Sequence, residues 1–270
     1  MTVITFANFK GGSGKTTNSV MTAYALAEKG KRVLVIDKDP QANATTLLVR
    51  TYANVHGEKP NIQKYLLDGL EAGTFTDCTL AITDNLHLIP TTPAFSYYVD
   101  FLEEQFPGAK KTKYESRIAY FKEVLATVQD NYDFVFIDVP PTISGYTDAA
   151  LYASDYALIV LQTQDYALDG ADVFADYMVS LVDKYELNLD VIGVLCVIFN
   201  SRSQIDNKVI KDAADLFGEE HIFKTQIKHM ERLKRYVAEG INILDHHDKN
   251  VMNVYKELTD ELLERLGVLV

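Results

Sequence analysis

The chain has 270 residues, 47% hydrophobic and 24% charged, which is enough to bury the core of one large α/β domain spanning residues 1–270. Its two cysteines, Cys78 and Cys196, argue against a disulfide framework and fit a reducing cytosol, and its longest apolar run, residues 191–199, is about half the length of a membrane-spanning helix. A net charge of −12 argues against a molecule that binds nucleic acid over its whole surface, although a local basic patch can oppose that average.

Short apolar, β-branched runs alternate with segments of helical spacing along the chain. Because the runs are apolar on both faces, they predict buried strands of a mostly parallel sheet. The predicted strands are Val3–Asn8, Val33–Asp37, Leu86–Pro90, Phe134–Asp138, Ala157–Gln162, Val191–Phe199 and His221–Ile227. The clearest helical patterns cover Thr16–Gly30, Ile118–Gln129 and Val254–Leu266, whereas Thr51–Lys59 and Thr91–Lys113 predict loops with short helices. The alternation indicates a single doubly wound α/β domain with helices on both faces of the sheet.

The stretch GGSGKT follows the first predicted strand and opens the first predicted helix. In that context, successive backbone N–H groups and a helix N-terminus form an anion cradle, which predicts a phosphate-binding loop. The Lys15 ammonium would reach the β- and γ-phosphates of a nucleotide, and the Thr16 hydroxyl would coordinate Mg²⁺. The alternative is a Gly/Ser turn with incidental lysines. The predicted nucleotide-binding residues of the loop are Gly11, Gly12, Ser13, Gly14, Lys15, Thr16 and Thr17.

Aspartates stand at the carboxyl ends of two further predicted strands. Asp37 and Asp39 end the second, and Asp138 ends the strand beginning at residue 134. Ligands of open α/β sheets bind beyond these strand ends, and an apolar run that ends in Asp is typical of a Walker B site for Mg²⁺. Each aspartate has the alternative of a helix cap or turn residue, and for Asp37 the two interpretations are evenly balanced.

The motifs, in their order along the chain, resemble those of the ParA/MinD family of P-loop ATPases. KGGSGKTT (10–17) resembles the family's deviant Walker A motif, VLVIDKDPQAN (33–43) its second motif and YDFVFIDVPPT (132–142) its Walker B motif. Later stretches resemble the ParA branch in particular and lie at 154–170, 192–210 and 240–250. The best match is the short ParA/Soj type, which has no added N-terminal DNA-binding domain.

This resemblance implies roles for individual residues. In the family, the lysine at the position of Lys10 crosses to the phosphates of a second subunit, so that ATP drives formation of a homodimer. Lys10, Lys15 and Asp39 would then be catalytic, with Asp39 orienting the attacking water. Thr16, Asp39 and Asp138 would lie at the Mg²⁺ ion, and Asn200 matches a position near the adenine.

A basic segment, residues 224–240, is the place where DNA would bind if the resemblance extends to DNA. A helix over residues 228–237 would place Lys228, Arg232 and Arg235 on one face, suited to phosphate contacts that carry no sequence information. It would turn Met230, Leu233 and Val237 toward the core. By resemblance and charge, the predicted DNA contacts are Arg202, Lys228, Arg232, Lys234 and Arg235. The alternative is a solvated surface helix, and Lys228-His229-Met230 replaces the family's usual Pro-Arg-Asn, which puts base contacts there in doubt.

The resemblance thus implies a DNA-partition ATPase that uses ATP and Mg²⁺. Its dimer would bind double-stranded DNA without sequence preference on the nucleoid, in the cytoplasm, and a ParB-like centromere-binding protein would stimulate hydrolysis. One rival is a MinD-like membrane ATPase, but the C-terminal segment 255–270 is net acidic, so no membrane partner is expected. Another is a redox enzyme like the nitrogenase iron protein, for which the cysteines are misplaced. A ParA-like positioner of a non-DNA cargo remains open.

Overall fold

Eight strands form one sheet in the computed structural model, which describes residues 1–163 and 167–268. The strands are β1 (Thr2–Ala7), β2 (Val33–Asp37), β3 (Leu80–Ala81), β4 (Leu86–Ile89), β5 (Phe134–Asp138), β6 (Tyr156–Gln162), β7 (Asp190–Phe199) and β8 (Ile227–Lys228). Their order across the sheet is β3-β4-β2-β5-β1-β6-β7-β8, and β3 alone among them is antiparallel to its neighbour. The predicted doubly wound, mostly parallel α/β fold is therefore confirmed.

Helices cover both faces of this sheet. They are α1 (Lys15–Glu28), α2 (Asn43–His56), α3 (Leu66–Ala72), α4 (Tyr98–Gln105), α5 (Lys110–Leu125), α6 (Gly145–Ala153), α7 (Ala167–Tyr185), α8 (Gln204–Phe217), α9 (Glu231–Glu239) and α10 (His246–Arg265). Side chains of α3 to α8 pack in one hydrophobic cluster, and those of α1, α2, α9 and α10 pack in a second. Alternate residues of β2 enter opposite clusters, Leu34 and Ile36 the first and Val33 and Val35 the second, as expected for a strand buried on both faces. Among the described helices, none has the length and apolar character needed to cross a membrane.

Four predicted segments differ from the structure, in whole or in part. The predicted strand His221–Ile227 is wrong: only an isolated bridge at Ile222 and the two-residue β8 pair with β7. The backbone N–H groups of Lys224 and Thr225 donate instead to the Glu261 carboxylate of α10, at 2.8 and 2.9 Å. The segments 51–59 and 91–113, predicted as loops with short helices, are more helical than that and contain the end of α2, all of α4 and the start of α5. The helix predicted over 228–237 begins at Glu231.

The sheet order brings the functional strand ends together. β5 lies between β2 and β1, and Asp138 pairs in register with Asp37 on one side and Phe6 on the other. The loop after β1 and the two acidic strand ends therefore meet at one edge of the sheet, where ligands of such folds bind.

Candidate functional site

The segment between β1 and α1 forms a tight loop that requires glycine at two positions. Gly12 and Gly14 have φ angles of +71° and +82°, in the left-handed region that favours glycine. A Cβ atom on Gly14 would also lie 3.1 Å from the Asn18 amide nitrogen. Asn18 Nδ2 donates to the Gly14 carbonyl oxygen at 2.8 Å, and Tyr255 of α10 donates to Asn18 Oδ1 at 2.8 Å. The loop is thus held from behind by the last described helix.

Lys15 folds back over this loop. Its buried ammonium donates to the Lys10 carbonyl oxygen at 3.1 Å and to Ser13 Oγ at 3.4 Å. Burial lowers the pKa of Lys15, and the nearby carboxylates of Asp138 and Asp39 oppose that shift. The cation therefore lies at the mouth of the loop with acidic groups on one side, as a phosphate-binding lysine requires.

Asp138 supplies an oxygen for a cation. Thr16 Oγ1 donates to Asp138 Oδ2 at 2.7 Å, whereas the buried Oδ1 has no hydrogen-bond partner among the described residues. Burial, together with the carboxylates of Asp37 and Asp39, raises the pKa of Asp138 well above its usual range. A threonine hydroxyl beside an unsatisfied carboxylate oxygen fits the oxygen ligands that Mg²⁺ prefers.

Asp37 and Asp39, two residues apart, occupy different environments. Asp37 Oδ2 accepts from the Thr45 backbone N–H at 2.7 Å in the first turn of α2, so this carboxylate caps the helix. Burial raises the pKa of Asp37 to about 6, against the effect of the Thr45 hydrogen bonds. Asp39 lines a cavity over the phosphate loop, and its Oδ1 accepts from the Gln41 backbone N–H at 2.9 Å. The structure therefore assigns Asp37 a structural contact and leaves Asp39 facing the ligand space.

Two adjoining cavities open at this edge. The larger, of about 450 Å³, is lined by residues of the loop, of the segments after β2 and β5, and of α2 and α9: Gly12, Ser13, Gly14, Lys15, Thr16, Thr17, Asp39, Gln41, Asn43, Leu47, Val139, Pro141 and Val237. The smaller, of about 150 Å³, shares Gly14, Thr17 and Val237 with it. The other residues of the smaller cavity are mostly apolar: Asn18, Val197, Ile198, Ile227, Lys228, His229, Met230, Leu233 and Lys234. A polar cavity over the loop with an apolar annex matches the shape of a nucleotide.

Gly11 and Asn200, both predicted to bind the nucleotide, line neither cavity. The Asn200 backbone N–H donates to Asp206 Oδ2 at 2.8 Å, and its side-chain Oδ1 accepts from the Arg202 backbone N–H at 3.1 Å. Asn200 therefore shapes the turn between β7 and α8. Lys228, His229 and Met230, where base contacts were in doubt, do line the apolar cavity.

Lys10 is fixed through its backbone. Its N–H donates to Asn8 Oδ1 at 2.9 Å, and Asn8 Nδ2 donates to the Val160 carbonyl oxygen of β6 at 2.8 Å. Within residues 1–163 and 167–268, no hydrogen bond or ion pair is made by the Lys10 ammonium. Part of the ParA-like stretch 154–170, namely residues 164–166, lies outside the described residues.

The predicted basic stripe differs from the structure in three ways. Lys228 belongs to β8 rather than to α9, and Val237 is 44% exposed, whereas α9 buries Tyr236. Arg232 and Arg235 are tied to the start of α10: their guanidinium groups lie 2.7 Å from Asp245 and 2.5 Å from Asp248. Arg202, Lys228 and Lys234 are exposed, and Lys234 pairs with Glu231 at 3.0 Å. The expected face of free cations is thus partly neutralised within the chain.

Lys38 was not singled out from the sequence. It stands between Asp37 and Asp39, is 0% exposed and points into the cluster of α3 to α8. Its ammonium lies 3.6 Å from the centre of the Tyr98 ring and 4.8 Å from that of Phe121, with Phe95 and Tyr146 completing the cage. A charged residue inside an apolar, strand-ending motif was the available signal, but the cage comes from three distant segments, at residues 95–98, 121 and 146.

Comparisons with known proteins agree with this geometry. The family model described as an AAA domain matches residues 1–191. The sporulation initiation inhibitor protein Soj of Bacillus subtilis is 33% identical over 267 residues, covering 96% of this chain and 97% of that protein. The chromosome-partitioning ATPase Soj of Thermus thermophilus is 30% identical, covering 97% and 96%. Among solved structures, cobyrinic acid a,c-diamide synthase from Mycobacterium smegmatis, with bound ADP and magnesium, has a TM-score of 0.77 at 25% identity over 99% of this chain and 96% of that one.

Proposed function

The chain belongs to the ParA/Soj family of partition ATPases, and from this premise we propose that it segregates DNA through a cycle of ATP-driven dimerisation, DNA binding and hydrolysis. The protein is a positioning ATPase that uses ATP and Mg²⁺. A ParB-like protein bound to a centromere-like site would stimulate hydrolysis and release the dimer from the nucleoid. The observation that carries the ATPase assignment is the buried Asp138 carboxylate, bonded to Thr16 at the mouth of the phosphate loop.

The nucleotide's phosphates would lie on the loop of residues 11–17, with the Lys15 ammonium neutralising their charge. Thr16 and Asp138 would hold the Mg²⁺ ion, with Asp39 at its edge. When bound, Mg²⁺ neutralises the charge that develops on the phosphoryl oxygens. Asp39 lines the same cavity and is free of the capping contact that occupies Asp37, which supports its role in orienting the attacking water.

The base would enter the smaller, apolar cavity beside the loop. Met230, Leu233 and Ile198 offer apolar contact to a flat ring, and Lys228 and His229 line the same cavity. These contacts replace the one proposed for Asn200, whose polar groups are engaged in its own turn.

Lys10 would serve the nucleotide of a second subunit. Its backbone is anchored to β6 through Asn8, while its ammonium is uncommitted within the part of the chain that the structure describes. A cation supplied across a dimer interface stabilises charge in the transition state as an arginine finger does. It also makes the dimer depend on the triphosphate.

DNA would contact the exposed cations Arg202, Lys228 and Lys234. Arg232 and Arg235 stand nearby, but their ion pairs with Asp245 and Asp248 reduce what they offer to phosphates. Because these contacts are electrostatic, binding should weaken as salt rises, with a slope set by the number of phosphates that the cations neutralise.

The test is the binding of the purified full chain to fluorescent duplexes of two unrelated sequences, without nucleotide, with ADP and with ATP, across a salt series. We expect the protein to bind both duplexes equally, to bind them only when ATP is present, and to bind them less tightly as the salt concentration rises. Vesicles of anionic lipid form the control arm. ATP-driven dimers that bind neither duplex at low salt would contradict the DNA assignment and favour a different cargo, and ATP-dependent vesicle binding would favour a membrane-associated ATPase.

A further inference from the structure

Lys38 and Asp148 are two buried ionisable side chains on the sheet face covered by α3 to α8. Burial lowers the pKa of Lys38 well below its usual range, and the negative charge of Asp148 opposes that shift. The Lys38 ammonium rests against the faces of Tyr98 and Phe121, and no hydrogen-bond acceptor reaches it among the described residues. A cation in such a cage is held by aromatic faces and by the Asp148 charge, so its position depends on α4, α5 and α6 together.

One end of this pair is joined to Asp39. Lys38 directly precedes Asp39, and its backbone N–H donates to the Asp138 carbonyl oxygen at 2.8 Å. Asp39 then turns toward the nucleotide cavity. Lys38 and Asp39 are joined by one peptide bond. The position of the Lys38 side chain in its cage therefore fixes the position of the backbone that carries the Asp39 carboxylate.

The other end is joined to Lys10. Tyr177 of α7 donates its hydroxyl to Asp148 Oδ1, and the Tyr177 ring packs edge-on against Phe9 with centres 5.5 Å apart. Phe9 also packs against Phe174, at 5.0 Å, and is followed directly by Lys10. Contacts therefore run from Phe9 through Tyr177 to Asp148 of α6, and Tyr146 of the same helix faces the Lys38 ammonium at 5.7 Å, which leads to Asp39.

We propose that Lys38, Asp148 and Tyr177 are positioning residues that set Lys10 and Asp39 relative to each other. The inference rests on the roles proposed above for those two residues. A contact that draws Lys10 toward a second subunit's nucleotide would then also place Asp39 for hydrolysis in its own subunit. Packed cores transmit such displacements because their side chains interdigitate without voids.

A packing role alone would not explain a lysine at this position. Methionine fills a similar volume, and removing an ammonium from water is costly unless it is fully paired. The Lys38→Met variant should therefore be as stable as the wild type or more stable, while its site is less well ordered. Loss of function without loss of stability is the signature that separates positioning from packing.

The first test is hydrogen–deuterium exchange on the nucleotide-free full chain. Lys38→Met should raise exchange at residues 9–12, and Tyr177→Phe should raise it at residues 38–42, each at the far end of the network. The matched controls are Lys122→Met and Tyr152→Phe. These two residues lie on the same face of the sheet but outside the site, with the Lys122 ammonium 5.9 Å from the centre of the Tyr152 ring. If each substitution changes hydrogen–deuterium exchange only at residues next to the substituted one, the proposal is overturned.

The second test is a double-mutant cycle on steady-state ATP turnover. Lys38→Met and Tyr177→Phe should each lower kcat by about 3- to 10-fold while KM for ATP changes less than about twofold, and the double variant should be within about twofold of the worse single one. If the fold-reductions of kcat in the two single variants multiply in the double variant, the two residues act independently and the proposal is overturned. If Lys38→Met does not fold, Asp148→Asn takes its place in the cycle.

Lys10→Ala and Asp39→Ala are assayed in parallel so that the two levels of inference can fail separately. If both keep wild-type turnover, the roles proposed for these residues are wrong, whatever the exchange data show. If both lose turnover but the cycle is multiplicative and the far-end exchange is unchanged, only the positioning network is wrong.

Discussion

The Asp138 carboxylate is fully buried, and one of its two oxygens bonds to nothing among the described residues. Its neighbour across the sheet, Asp37, is also fully buried, and both pKa values are raised. The nucleotide-free protein thus maintains two acidic groups side by side at a cost in stability. A bound Mg²⁺ ion or the nearby lysine would offset that cost, so the buried carboxylates favour binding of the nucleotide with its metal ion.

Asp138→Asn should stabilise the nucleotide-free protein at pH 7 by about 1–3 kcal/mol, because it removes an unpaired buried charge but keeps an acceptor for the Thr16 hydroxyl. The folded-state pKa of Asp138 lies above the unfolded value, so the wild type loses this stability as pH rises from about 4 through the folded pKa. The gain should therefore vanish near pH 4. Denaturant unfolding at several pH values measures it.

The exposed Asp84→Asn serves as the control and should change stability little at any of these pH values. An Asp138→Asn variant that is less stable than the wild type at pH 7, without nucleotide, would show that the carboxylate is paired in solution. Addition of ATP and Mg²⁺ should raise the melting temperature of the wild type more than that of the variant.

At the scale of elements, α9 and α10 are joined by a cluster around Asp248. Its carboxylate accepts hydrogen bonds from Arg235 at 2.5 Å, from Tyr236 at 2.9 Å and from the Leu244 backbone N–H at 3.0 Å. Although burial opposes it, these bonds hold the pKa of Asp248 well below its usual range. The cluster fixes α9, and with it one wall of both cavities, to the start of α10.

Asp248→Asn should lower the melting temperature at pH 7, because it weakens three hydrogen bonds to a buried charge. The folded-state pKa of Asp248 lies below the unfolded value, so its contribution is full above about pH 4 and is lost as pH falls toward the folded-state pKa. The difference between wild type and variant should therefore shrink below about pH 4. Thermal melts between about pH 3 and 7 measure this.

Asp260→Asn is the matched control, since Asp260 lies on the same helix in a half-exposed ion pair with Lys29. Exposed pairs of this kind contribute little to stability. Equal losses in the two variants at pH 7 would contradict a special role for the Asp248 cluster.

The strands that carry the site could be predicted from the sequence, whereas the segment 221–227 and the cage around Lys38 could not. The bounds predicted for β2 and β5, residues 33–37 and 134–138, agree with the structure because both strands are apolar on each face and end in an aspartate. The segment 221–227 also holds β-branched and aromatic residues, but a carboxylate from α10 takes its backbone donors, and periodicity carries no information about such a distant partner. The phosphate loop was predicted from local sequence, whereas the Lys38 cage needs three segments that only the fold brings together.

At the scale of the whole molecule, the proposed cycle depends on a second subunit. Lys10→Ala should leave ATP binding by the monomer nearly intact, weaken ATP-driven dimerisation at least about tenfold and lower turnover about 10²- to 10³-fold. Light scattering after size-exclusion chromatography, beside nucleotide-binding titrations, measures the first two quantities. The exposed Lys59→Ala is the control.

Asp39→Ala should abolish ATP hydrolysis without preventing ATP-driven dimerisation. It removes the proposed water-orienting carboxylate but leaves the loop, Lys10 and Lys15 in place, so the variant should dimerise with ATP and remain dimeric because hydrolysis is lost. Dimers that fall apart at the wild-type rate would contradict the role given to Asp39.

The proposed affinity for DNA is the other property expected of the dimer. Arg202→Glu and Lys234→Glu should each weaken ATP-dependent DNA binding several-fold, equally for unrelated sequences, and reduce the salt dependence by about one counterion. Lys113→Glu, on α5 across the sheet, is the control for net charge. Arg232→Glu is a poorer probe, since it also breaks the bond to Asp245. Unchanged affinity in both test variants would place the DNA surface elsewhere.

The contact of Tyr255 with Asn18 joins residues 237 positions apart, and β1 lies between β5 and β6 in the middle of the sheet. During synthesis on the ribosome, the first strand has no neighbour until residue 138 has emerged. The phosphate loop lacks its support from α10 until residue 255 has emerged as well. We therefore expect nucleotide binding to be acquired late in translation, so that a chain released early as an incomplete product would not compete for ATP or join the proposed partition cycle.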